Sequence, residues 1–197
     1  MSATVRRRVV LAVAAVVLVG IGALGGVLLT PRSEPGGHPV DIGFSQDMIV
    51  HHQQAVDMAE LLRGRASPQI SSIAAGIAAN QRKEIGLFQG WLSLWNAPQV
   101  PTGHSHGDGA PMPGMVSIPD LHRLEDASGT DLDILFLQLM VRHHQGGARM
   151  ADAAARTAHQ QQVRDLAKVI SADQQREIAT MTGILASLGS VPLPAPQ

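Results

Sequence analysis

The strongest constraint on this chain is a stretch that it contains twice, FSQDMIVHHQQAVDMAE at 44–60 and FLQLMVRHHQGGARMAD at 136–152. At a constant offset of 92 residues, Phe44, Gln46, Met48, His51, His52, Gln53, Met58 and Ala59 recur as Phe136, Gln138, Met140, His143, His144, Gln145, Met150 and Ala151. This is an internal duplication, so the fold must accommodate two similar halves. On a helix advancing about 100° per residue, with Met48 as origin, Phe44 falls near about −40°, His51 near about −60°, His52 near about +40° and Met58 near about −80°. Two thioethers and two imidazoles share an arc of roughly 120°, the width of a core-facing stripe. Met140, His143, His144 and Met150 repeat the arrangement. Because adjacent residues diverge by about 100°, His51 and His143 can point inward while His52 and His144 sit at the rim.

The helices around these stretches follow from their punctuation. Asp41 is a candidate cap for a first helix reaching about Arg63, where Gly64 stops it. Ser67 and Pro68 open a second helix to about Trp95, and Pro98 ends it. Ser117 with Asp120 marks a short helix through Asp126, and Thr130 with Asp133 opens a long one to about Ala158. A last helix runs from about Gln160 to Leu188, before Gly189 and Pro192. No strand pattern is present. The expected fold is all-α, a ferritin-like four-helix bundle of two duplicated αα-hairpins joined by a long crossover at 97–117.

The second helix of each hairpin carries an apolar stripe broken once, at the same place. Ile70, Ile73, Ile77, Gln81, Glu84, Phe88, Trp91 and Trp95 are matched by Val163, Leu166, Ile170, Gln174, Glu177, Met181, Ile184 and Leu188. A buried carboxylate costs several kcal/mol unless paired or coordinated. Glu84 and Glu177 therefore need histidines or a cation beside them, with Gln81 and Gln174 in support. Alternatively they lie at the stripe's edge and reach water, Arg82 or Arg176.

Di-iron and di-manganese bundles use Glu-x-x-His on two helices and a Glu from each of the others. Here the corresponding triplets begin with Met48 and Met140, so thioethers replace hard carboxylates. Thioether with imidazole suits copper, above all Cu(I), whereas oxygen donors suit iron and manganese. The candidate ligands are His51, His52, Met48, Met58, His143, His144, Met140, Met150, Glu84 and Glu177. The bland alternative reads the methionines as core filler and the histidines as hydrogen-bonded core residues. The crossover adds His104, His106, Asp108, Met112 and Met115, a candidate capture site in a loop that otherwise reads as a solvated linker. No nucleophile elbow, P-loop, dinucleotide fingerprint or His-Glu-x-x-His is present, so an acid/base or nucleophilic enzyme has little support.

Residues 1–30 stand apart. Arg6, Arg7 and Arg8 precede an apolar run from Val9 to Leu29, long enough to span a bilayer, with the chain after it outside the cytoplasm. A signal anchor through 9–29 is expected; a cleaved signal peptide, giving a secreted protein, is the alternative. Residues 31–40 read as a linker, 41–189 as the bundle domain and 190–197 as a tail. With no cysteine, the exported domain has neither disulfides nor thiolate ligands. A net charge of −1 gives no footprint for nucleic acid.

At the paired HH-x5-M elements, the MPGM at 112–115, the QRKEI at 81–85 and the QQREI at 174–178, the sequence resembles the domain of unknown function 305 family, exported bacterial proteins of the ferritin-like group. The resemblance covers about residues 40–188. It implies a four-helix fold outside the cytoplasm, with some members linked to copper or silver binding and tolerance and no established enzymatic activity. The sequence departs from the family pattern at Leu139, where another Met is frequent, and at Gly147, where Ala is usual. Three functions follow as expectations: a copper- or silver-binding protein; an iron or manganese redox enzyme using Glu84, Glu177, His51 and His143; or a structural bundle in which the histidines bond to Glu84 and Glu177.

Overall fold

Four long helices and one short one build an all-α helical bundle, and no strand occurs among the described residues. The computed structural model describes residues 36–101 and 112–196. The expected anchor at 1–30, half of the linker (31–35), and His104, His106 and Asp108 lie outside them. No helix among the described residues is long and apolar enough to cross a membrane.

The elements are α1 (Pro39–Leu61), α2 (Pro68–Leu94), α3 (Ile118–Asp126), α4 (Gly129–Thr157) and α5 (Gln161–Ser187). Helices α1 and α2 form one hairpin and α4 and α5 the other; the hairpins meet mainly through α1 and α4. Gly64 and Gly189 end α1 and α5 with φ of 72° and 70°, where a side chain would be strained. The short α3 is capped as its sequence predicts, with Ser117 Oγ accepting from the Asp120 N–H at 3.2 Å.

Two predicted caps act elsewhere. Helix α1 begins two residues before Asp41, capped by His38, whose Nδ1 accepts from the Val40 N–H. Asp41 is buried and its carboxylate accepts from the N–H groups of His159 and Gln160, the latter being the N-cap of α5. Helix α4 is preceded by Ser128 rather than Thr130, and Asp133 accepts from the N–H of Ser67, the N-cap of α2. Each first helix thus anchors the start of the other hairpin's second helix, satisfying a donor that the helix leaves open. The same reciprocity governs the ends. Gln46 Nε2 donates to Pro98 O at 2.8 Å and Gln138 Nε2 to Val191 O at 2.8 Å, so the segment read as a tail is fastened.

A polar layer crosses the core. On one side Ala55, Met58 and Leu62 of α1 pack with Phe136, Leu137 and Met140 of α4 and Met181 and Leu185 of α5. On the other, Phe44 and Met48 pack with Phe88 of α2, Ala151 and Ala154 of α4 and Val163 and Ile170 of α5, with Met150 against them. Between the two clusters stand the histidine pairs.

Candidate metal centre

His51, His52, His143 and His144 are all completely buried, so His52 and His144 are not rim residues. They face each other because α1 and α4 form the seam between the hairpins and carry the pairs at corresponding heights. The rings of His51 and His143 lie 3.9 Å apart by centroid, with planes inclined at 34°. Burial lowers the pKa of His51 from 6.5 to about 3, with the neighbouring His52 adding to it. Burial, then His51, holds His143 well below the usual imidazole range. Both rings are neutral at physiological pH, the form in which imidazole binds metal.

The outward nitrogens of three rings have partners that fix their tautomers. Nε2 of His51 lies 3.1 Å from Pro113 O; a carbonyl only accepts, so this nitrogen carries the proton and donates. Nε2 of His144 donates to Glu177 Oε2 at 2.6 Å. Nε2 of His52 stands 2.7 Å from Glu84 Oε2, in close polar contact though away from good hydrogen-bond geometry. Two lone pairs at that separation would repel, so this nitrogen also carries its proton. The Nδ1 atoms of His51, His52 and His144 are buried without a hydrogen bond, and so are both nitrogens of His143.

Among the described residues, every buried side-chain nitrogen or oxygen without a partner belongs to these histidines, Gln81, Gln174 or Gln145. Each such atom costs about 1–3 kcal/mol. Concentrated in one layer of an otherwise satisfied fold, they mark a place where stability yields to something else.

The methionines divide about the layer. Met48, Met58 and Met140 are fully buried and Met150 is half-buried. Met48 and Met150 belong with one apolar cluster, Met58 and Met140 with the other, so each side of the histidines has a thioether from each hairpin. The glutamates do not converge on His51 and His143. They are engaged by His52 and His144 at the edge, their side chains 13% and 25% exposed. Among the described residues no group of three or more His, Asp or Glu is placed to hold a metal ion. Of the loop candidates, Met112 and Met115 are half-buried beside the layer.

Sequence reasoning missed the residues that hold this loop. Gln54 clamps Val116, its Nε2 donating to the carbonyl at 2.9 Å and its Oε1 accepting from the N–H at 2.7 Å. Gly146 lies so close that a Cβ there would stand 1.9 Å from Pro113 O. At Gly147 a Cβ would meet Gln174 Oε1 at 2.5 Å and His51 Cε1 at 3.0 Å. The signal was available: Gly146-Gly147 replaces Gln54-Ala55 at the offset of 92.

The family described as Domain of unknown function (DUF305) matches residues 41–185. A family protein from Streptomyces coelicolor, assigned by inference as secreted, is 34% identical over 78% of this chain and 96% of its own, with a TM-score of 0.75. A fragment from Deinococcus radiodurans is 31% identical over 77% and 99%, with a TM-score of 0.68. CopM in its Cu(I)-bound form is 27% identical over 75% and 96%, with a TM-score of 0.62, and CopM is also solved with Cu(II) and with Ag. No curated protein matches the chain.

Proposed function

The chain belongs to the DUF305 family, and from that premise we propose that it binds a soft metal ion, Cu(I) or Ag(I) foremost, in the layer formed by the two histidine pairs and their flanking methionines. The role is sequestration of the ion outside the cytoplasm within a ferritin-like four-helix domain. The observation that carries this reading is the set of neutral, buried imidazole lone pairs left open where His51 and His143 meet at 3.9 Å. Metal-ligating histidines characteristically donate their other ring N–H to a carboxylate or carbonyl. Pro113, Glu84 and Glu177 occupy that role for His51, His52 and His144. The glutamates, expected as ligands, act here as orienting partners. Imidazole and thioether together, without thiolate, favour copper over iron or manganese, and the likeness to CopM supports the same choice. The apolar run at 9–29 behind Arg6, Arg7 and Arg8 and the likeness to an S. coelicolor protein assigned as secreted support the location.

Titration of the full-length chain with Cu(I) and Ag(I) tests the proposal. His51→Ala/His143→Ala is expected to abolish binding at the buried site; equal binding by both proteins overturns it. A second reading, a purely structural bundle, draws on the His52–Glu84 and His144–Glu177 pairs, which serve a core without metal equally well. It requires a melting temperature indifferent to metal and chelator, whereas an ion bound only by the folded state raises it.

A further inference from the structure

Another pair of imidazoles lies at the surface, apart from the buried layer. His38, the N-cap of α1, and His159, in the turn between α4 and α5, stack with ring centroids 4.8 Å apart and planes inclined by 9°. Both are exposed. Their positions are set by the backbone: His38 Nδ1 accepts from the Val40 N–H, and the His159 N–H donates to buried Asp41 at 2.8 Å. No hydrogen bond within the described residues occupies Nε2 of His38 or either ring nitrogen of His159. Exposed imidazoles change rotamer at little cost, so a ring turned out of the stack can aim a nitrogen at an ion held by its neighbour. Two imidazoles completed by water form a donor set for a borderline divalent ion, and Cu(II) leads the first-row series on such ligands.

We propose that His38 and His159 form a second metal site, one that takes Cu(II). A groove of about 710 Å³ is lined by Pro39, Val40 and Thr157 beside the pair, by Phe44 and Met150, and by Pro113, whose carbonyl holds His51. The groove's lining thus begins at residues next to the pair and includes Met150 and Pro113, which flank the buried layer. The two sites differ in donor chemistry: nitrogen and water outside, nitrogen and thioether inside.

The chain's two tryptophans supply the readout. A Cβ on Gly37, next to His38, would meet the Trp95 ring at 2.5 Å, and Trp91 stacks on Trp95 at 6.1 Å. Titrating the full-length chain in detergent with Cu(II) sulfate should quench indole emission, with electron paramagnetic resonance showing imidazole nitrogen coupling. His38→Asn keeps an oxygen for the Val40 N–H but removes the ligand; it and His159→Asn should each weaken the quenching transition by about tenfold or more. His51→Ala/His143→Ala should leave that transition in place, so this site and the buried one fail separately. Unchanged quenching in either single histidine variant overturns the proposal.

Discussion

The two hairpins carry the same histidine pair and hold it differently. In the first, His51 donates to Pro113 O; in the second, neither nitrogen of His143 has a hydrogen bond of good geometry. Met58 is sealed in the core, whereas Met150 lines a groove. The cause is the single crossover. It can lie over the seam only once, so one copy supplies the Gln54 clamp and the other clears space with Gly146. A duplicated sequence therefore yields one fixed imidazole and one free to adjust, a useful combination where an ion must be gripped and released.

Breaking the seating of the crossover should give the largest effect. Gly146→Ala drives a methyl into the Pro113 carbonyl and should cost about 3 kcal/mol, read as denaturation midpoint, while Gln54→Ala removes the clamp for about 1–2 kcal/mol. A neutral Gly146→Ala would remove the basis of the asymmetry. The pairs at the edge sharpen the comparison next. His52→Leu strands Glu84 and should cost about 2 kcal/mol; His144→Leu should cost less, about 1 kcal/mol, because Glu177 is more exposed and water screens it. The same measurement decides, and a reversed order would contradict the burial argument.

A further effect is graded by pH. Folding lowers the pKa of His51 to about 3, so on acidification the unfolded chain takes up its proton first. Stability of the metal-free protein should be intact above about pH 6.5 and fall below it, by up to ~1.4 kcal/mol per pH unit for each of His51 and His143, until pH reaches the folded value. Chemical denaturation between pH 7 and pH 4 checks this. His143→Leu should flatten the slope, and an unaltered slope would count against a neutral, buried His143.

Helix positions were legible because their stops are local: Gly64, Pro68, Ser117 and Gly189 act on their own backbone. The inward stripe was legible from periodicity. Asp41 and Asp133 were misread as caps of their own helices, since a carboxylate near a helix start satisfies any open N–H within reach, including that of a distant helix. Glu84 and Glu177 were recognised as needing partners, but which histidine each would meet depends on interhelix rotation, which one-dimensional spacing does not encode. Pro113 escaped notice because it contributes a carbonyl, and backbone groups leave no trace in residue type.

X-ray absorption of the Cu(I)-loaded full-length chain tests the central claim most directly. The buried site predicts imidazole nitrogen and thioether sulfur bound together to copper, with both signals lost in His51→Ala/His143→Ala. Copper held by oxygen and nitrogen alone, or a spectrum unchanged in that variant, would contradict it.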